Sequence, residues 1–514
     1  MLVFKDMKNY SLITTVLITF LASLIWEFSY HPISNSLLRF SQDIRPSESL
    51  SVRRHRVLND LEVQFSKSDG QFAEAVTASN VNRMFKDQSH VLMDDARNMP
   101  MHHAIIQGER ASPESGHVVV FMVKQKNMDE LTRIVHDVSD PKSPNYGNHL
   151  THLEVKDLTS NPESRDEVVA YLEAAGVSIV SVKHWGQTIT ALAPVSLWEN
   201  ILDTEFHTFS VKTPITDGLG HPKKEFFRAK TYSLPKALAM HIDTVLNTVQ
   251  MPDVTTLDWP VLDVERKSRR SLKAKTPIFI NTYLTVALIN KRYEIEDNTG
   301  HPQATQTAIS MYGYQFCPED LRDFQTKFNL TYITPTLSPD DEPFIKSPQW
   351  CFDNWPLCVE PSLDNQLMLG IANNPTTLYH SDSQDFTVIF LGLIEESAAK
   401  GENPPLVINL SYGINEKYVT VDNTKAFEQV ALKLAAMGST VVVSAGDDGV
   451  TGRENRISGV CGYESRFPVS CPYVLAVGST QVSNLKCAEK PLMQYLIYAN
   501  CKFVCEIYMI LRDH

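Results

Sequence analysis

At 514 residues the chain is too long for one hydrophobic core and is expected to fold as about two to four units. Hydrophobic residues at 43% and charged residues at 21% argue against disorder throughout. The formal net charge of -13 argues against nucleic-acid binding, which needs a basic surface.

Lys5 and Lys8 precede an apolar run from about Leu12 to Trp26, the pattern of a secretory signal. The run is short for a membrane span, which needs roughly 20 residues. Residues 1–28 therefore read as a signal peptide or a retained membrane anchor, and either sends the rest into the secretory route. Asn329-Leu330-Thr331 is a glycosylation sequon consistent with that route. Asn409-Leu410-Ser411 is formally another, but it lies in an apolar strand and is expected to be inaccessible.

Residues 29–115 are polar and weakly periodic and read as a loosely ordered leader. The first clear fold spans 116–252. His117–Val123 has strand composition, Met128–Val138 helical spacing, and Arg165–Ala175 a helix stopped by Gly176. Val177–Val182 and Thr188–Ala193 read as strands and Val195–Leu202 as a helix, which suggests a ferredoxin-like α/β unit. In 253–275 the pattern breaks around Arg266, Lys267, Arg269 and Arg270. A solvated linker and an exposed processing site both fit that basic run.

From Thr276 helices and short apolar strands alternate. Phe386–Lys400 and Thr424–Met437 read as helices, and Pro405–Ser411, Thr440–Ser444 and Tyr473–Val477 as buried strands. That alternation is the pattern of a parallel sheet covered on both faces. Cysteines begin only at Cys317. Cys351 and Cys358 suit a local disulfide in an oxidising compartment, and unpaired buried thiols suit the same spacing equally.

Two clusters carry candidate chemistry. Glu360 and Asp364 are four apart, so on a helix they share a face, with Pro361 expected in the first turn. Carboxylates held that close repel, which raises one pKa and lets a proton be shared in mild acid. A solvated helix face produces such pairs more often than a site does. Ser444-Ala445-Gly446-Asp447-Asp448-Gly449 follows a buried strand, at the edge where α/β sheets usually carry their sites. A protonated Asp447 would donate to a developing oxyanion; an Asp-Gly turn chosen for its backbone geometry explains the same string.

The motifs gain weight in order. Glu-x-Ser-Leu-Asp at 360–364, Leu-Ser-Tyr-Gly at 410–413, Ser-Ala-Gly-Asp-x-Gly at 444–449 and Phe-Pro-x-Ser-x-Pro-Tyr-Val at 467–474 follow one another. Upstream, Asp140-Pro-x-Ser-Pro-x-Tyr-Gly147 continues into Leu150-Thr151. The set resembles the sedolisin, or serine-carboxyl peptidase, family, which includes tripeptidyl peptidases. The resemblance implies an α/β fold: a ferredoxin-like activation propeptide followed by a subtilisin-like parallel-sheet peptidase domain, here incomplete, over 276–482. It implies Glu360 as the general base, Asp364 as the residue that orients and polarises it, and Asp447 as the oxyanion stabiliser. A peptide or protein substrate, the chain's own propeptide as inhibitor and chaperone, and a lysosomal, vacuolar or extracellular location follow from the same resemblance. The departure is downstream. The family's nucleophile lies in a Gly-Thr-Ser-x-x-x-Pro string, which is not among these residues, and the tail 483–514 is divergent. The family's calcium-binding loop lies beyond that serine and is absent too. Ser479, in Gly-Ser-Thr, matches a structural turn. The expectation is a peptidase zymogen by lineage, inactive as written. The alternative is a non-catalytic secreted or membrane-anchored protein that uses the propeptide fold to bind or inhibit.

Overall fold

The computed structural model describes residues 89–211, 225–251, 285–295, 300–311, 313–337, 344–381, 383 and 385–478. The signal or anchor at 1–28, the basic run at 266–270, Thr276 at the expected domain start, Ser479 and the tail 483–514 lie outside them. No helix among the described residues is long and apolar enough to cross a membrane.

The N-terminal unit opens with β1 (His90–Asp95) and β2 (Ile105–Arg110), then β3 (Gly116–Val123). Helices α1 (Met128–Ser139), α2 (His152–Thr159) and α3 (Pro162–Ala174) follow. Next come β4 (Ser178–Lys183), β5 (Thr188–Pro194), α4 (Val195–Leu202) and β6 (His207–Val211). Strands β7 (Phe226–Arg228), β8 (Thr231–Pro235) and β9 (Ile242–Leu246) complete it. Strands β4-β5-β3-β9 form one sheet in that order, every neighbouring pair antiparallel.

Residues 90–110, expected as part of a loose leader, instead form two paired strands. β1 pairs with β8 and β2 with β6. Each partner lies far downstream, so neither pairing leaves a local signal in the sequence. Helix α2 also escaped the sequence reading. It is set by a capping box, with Thr151 accepting from the Glu154 N–H and Glu154 accepting from the Thr151 N–H at 2.7 Å.

The second unit contains α5 (Val286–Tyr293), β10 (Gln306–Ser310), α6 (Pro318–Lys327), β11 (Thr336–Leu337) and α7 (Trp355–Leu367). It continues with β12 (Thr376–His380), α8 (Phe386–Ala399), β13 (Val407–Leu410), β14 (Ile414–Asn415) and α9 (Val421–Ala436). β15 (Thr440–Ser444), β16 (Arg466–Phe467) and β17 (Leu475–Val477) follow. Six strands form a parallel sheet in the order β11-β12-β10-β13-β15-β17. The continuous apolar runs of β13 and β15 reflect burial on both faces.

Strand β3 explains how the units meet. Val119, Phe121 and Val123 point into the N-terminal unit's own core with Trp198, Val168 and Leu172. Met122, of opposite parity, packs with Leu246, Phe427, Val430 and Phe390 in a core shared with α8 and α9. Lys433 on α9 is fully buried at this junction. Its ammonium donates to Gln125 Oε1 at 2.7 Å and Gln187 Oε1 at 2.6 Å. Burial pulls its pKa down to about 7, and the Asp243 carboxylate pulls the other way. Gln429, one turn earlier, donates to Asp243 at 3.1 Å. Burial raises the Asp243 carboxyl as well.

Between about pH 7 and the ordinary lysine value the unfolded chain holds a proton on Lys433 that the folded chain does not. The sign is therefore a stability that rises with pH across that window. Lys433→Met is expected to remove this slope, read as denaturant midpoints at several pH values. It also leaves the buried Gln187 oxygen without its donor, at a cost of about 1–3 kcal/mol.

Candidate active site

Glu360 and Asp364 lie on one face of α7, as their spacing requires. The sequence reading placed Pro361 in the first turn with Glu360 at the helix start. The structure corrects this: the helix begins at Trp355, with Pro356 in its first turn, and Pro361 is interior. An interior proline leaves the carbonyl four residues earlier without its helical donor. That carbonyl, Leu357 O, accepts instead from the Gln315 N–H at 2.8 Å. The kink cost is thus offset by a tie to the segment between β10 and α6.

Asp364 is fully buried, and Oδ1 accepts from the Ser411 hydroxyl at 2.8 Å. Asn409, also fully buried, donates to Ser411 Oγ at 3.2 Å. The formal sequon Asn409-Leu410-Ser411 is therefore an internal hydrogen-bond relay at the end of β13, inaccessible as its apolar setting implied. Burial pushes the Asp364 carboxyl up to about 7, while the Ser411 and Asn409 hydrogen bonds pull it down. Glu360 is half-buried. Its carboxyl is raised well above the usual range, first by loss of solvent, then by the negative charges of Asp364 and Asp447.

Asp447 is exposed in the turn after β15, whose pairing with β13 sets Val443 beside Leu410. Ser411 and Asp447 thus leave the carboxyl ends of neighbouring parallel strands, where such sheets carry their sites. The turn depends on Gly446, which has φ of 91°; a Cβ there would meet Arg466 Cδ at 2.9 Å. Arg466 in turn donates to the Gly413 carbonyl. Tyr412 is buried, with its ring 4.9 Å from that of Tyr314, and burial, Tyr314, Glu360 and Asp364 all raise its phenol. Ser411, Asn409 and Tyr314 were not singled out as site residues from the sequence. The one available signal was polar residues closing an apolar strand.

Several polar atoms here are buried without a hydrogen-bond partner: Asp364 Oδ2, Asn365 Oδ1, Asn409 Oδ1 and Ser362 Oγ. Asn329, the other sequon, is exposed just beyond α6. Of the two readings left open for Cys351 and Cys358, the structure has the disulfide, and the segment is a short helix, Pro348–Asp353, running into α7 rather than a loop.

The carboxyl pair gives a pH signature. Raised pKa values mean that the folded chain holds protons that the unfolded chain has lost, so the pair costs stability as pH rises from about 4 to 7. Glu360→Gln with Asp364→Asn is expected to flatten that decline and raise the melting temperature at pH 7. An unchanged slope would contradict the assignment. Ser411→Ala should act oppositely, costing about 1–3 kcal/mol at neutral pH and less in acid, where Asp364 is neutral.

A model of the pro-kumamolisin activation domain matches residues 104–251. The chain is 26% identical over 395 residues to Tripeptidyl-peptidase SED3 of Arthroderma otae, covering 73% of this chain and 64% of that one. It is 26% identical over 405 residues to Tripeptidyl-peptidase 1 of Rattus norvegicus, covering 75% and 65%. A solved Pseudomonas sedolisin (serine-carboxyl proteinase) is 20% identical, covering 37% of this chain and 52% of that one, with a TM-score of 0.27. The chain spans about 64% of the length of the curated relatives it matches. The chain is thus similar to the pro-kumamolisin activation domain over residues 104–251 and to tripeptidyl-peptidases over about three quarters of its length.

Proposed function

We propose that this is an acid-acting serine-type peptidase zymogen of the tripeptidyl-peptidase and endopeptidase lineage. The observation that carries the reading is the Glu360–Asp364 pair on one helix turn, Asp364 buried and Glu360 half-buried, with both carboxyls raised. In this reading Glu360 takes the proton of a serine hydroxyl as it attacks the peptide carbonyl. Asp364, fixed by Ser411, orients and polarises Glu360. Asp447 is assigned as the donor to the oxyanion. A carboxylate keeps base function at a pH where imidazole would be protonated, which suits an acid compartment. Lysosomal, vacuolar or extracellular placement follows.

The antiparallel sheet β4-β5-β3-β9 with α3 and α4 on one face supports reading residues 89–251 as a ferredoxin-like activation propeptide. The six-stranded parallel sheet supports a subtilisin-like peptidase unit. Arg266, Lys267, Arg269 and Arg270 lie between the two and suit cleavage by a protease with basic preference; Asn329 suits glycosylation. The second reading is a non-catalytic protein that binds or inhibits through its N-terminal unit.

Two constructions separate the readings. A secreted polypeptide of these 514 residues is expected to give no turnover of a tripeptide-amide substrate at about pH 4. Turnover that Glu360→Gln abolishes would overturn that expectation. A chimera that continues from residue 478 with the corresponding segment of rat Tripeptidyl-peptidase 1 is expected to hydrolyse the substrate in acid. Glu360→Gln should lower its kcat by about 100-fold or more, the scale of a lost general base. A folded chimera without turnover favours the non-catalytic reading, and turnover indifferent to Glu360→Gln overturns the role given to Glu360.

A further inference from the structure

Three sulfurs converge outside the carboxylate site. Cys317, Cys351 and Cys358 form one buried cluster with Trp350 packed against it. Cys351 is bonded to Cys358, and Cys317 is a free thiol. The Cys317 and Cys351 sulfurs lie within 4.8 Å of each other. Backbone ties hold them there. Phe316 donates to Phe344 O at 3.0 Å and accepts from the Lys346 N–H at 2.9 Å, and Gln315 donates to Leu357 O at 2.8 Å. The two residues before Cys317 are thus clamped to the strand-like segment before Cys351 and to the helix turn of Cys358.

We propose that Cys317 is an alternative disulfide partner of Cys351, so that the chain holds two disulfide isomers that interconvert by internal thiol–disulfide exchange. The step balances without an outside redox agent. Cys317 loses its proton and its sulfur attacks Cys351 Sγ. A Cys317–Cys351 bond forms, the Cys351–Cys358 bond breaks, and Cys358 leaves as a thiolate that takes up a proton. A soft cation would suit the same cluster only with the disulfide reduced; exchange uses the cluster as it stands.

The surroundings set when exchange runs. Burial pushes the Cys317 thiol up to about 12, and the charges of Asp320 and Glu319 push the same way against hydrogen bonds from their backbones. Only the thiolate attacks, so the rate should rise about tenfold per pH unit well below that value and stop in acid. An acid compartment therefore freezes whichever isomer arrives. The isomers differ where it matters for the helix that carries the carboxylates. Cys351–Cys358 staples the turn Pro348–Asp353 to the start of α7, two residues before Glu360, and Cys317–Cys351 releases that staple.

The test is a peptide map under non-reducing conditions, which reads bonds and is independent of any peptidase activity. The full secreted chain is held at about pH 6, 8 and 9, quenched in acid with N-ethylmaleimide, digested and analysed by mass spectrometry. A Cys317–Cys351 peptide with alkylated Cys358 is expected to appear faster by about tenfold per pH unit. Cys317→Ala should abolish it. In Cys358→Ser the Cys317–Cys351 bond is expected from the outset. Finding only Cys351–Cys358 at every pH in the wild-type chain, or Cys317 and Cys351 both alkylated in Cys358→Ser, overturns the proposal. Should Cys358→Ser fail to be secreted, the wild-type series decides alone.

Discussion

Asp364 accepts the Ser411 hydroxyl hydrogen bond across the gap between a helix and the end of a strand, and the site is organised around that contact. It fixes the second carboxylate of the pair against the sheet, with Glu360 half-buried beside it and close enough to Asp447 to feel its charge. Without it, Asp364 would be a buried carboxyl left with Asn409 as its remaining donor. With it, the carboxyl still sits near 7 instead of its ordinary value. Holding it ionised at neutral pH thus costs the fold stability. Folded domains are stable by only about 5–15 kcal/mol, so a site this costly has to be held by its surroundings. The holding is visible: Asn409 orients Ser411 from the centre of the sheet, and Gln315 replaces the bond that Pro361 removes from α7.

What the sequence makes legible follows from the range of the interactions. Helices α3, α4, α8 and α9 and strands β3, β5, β13 and β15 declare themselves through apolar periodicity, and their observed bounds differ from the expected ones by a few residues. The spacing of Glu360 and Asp364 could be read as a shared helix face because a helix turn is local. Strands β1 and β2 could not be read, because each is completed by a partner far along the chain. Helix α7 misled for a related reason. A proline usually marks a helix's first turn, and only a tertiary donor to Leu357 O makes it tolerable inside. Ser411 was visible only as part of a sequon. Its role comes from the meeting of α7 and β13, which no local pattern records.

The alternation of β3 carries a further consequence. A strand apolar on both faces needs two cores, and the second core here belongs to α8 and α9. The N-terminal unit is therefore not closed by its own helices alone. If the two units part, Met122 and Leu246 are uncovered together with Phe427 and Val430. Burial of such side chains contributes about 1.5–3 kcal/mol each, so separation is opposed even before polar contacts are considered. Lys433 adds specificity more than strength, because its ammonium is taken out of water to reach two glutamine oxygens of the N-terminal unit.

The position of α9 connects that junction to the site. This helix is the crossover from β13 to β15, the two strands whose carboxyl ends bear Ser411 and Asp447. A parallel pair cannot be joined by a tight turn, so the register of the two ends depends on how the crossover helix packs. One side of α9 packs against α8 and β15, and its other contacts are with α1, β9 and β1 of the N-terminal unit. The N-terminal unit thus stabilises the helix that sets Ser411 and Asp447 at their spacing. A chain folding in its presence reaches the parallel pairing with the crossover already supported on both sides, which offsets the loop-closure cost that makes such pairings slow.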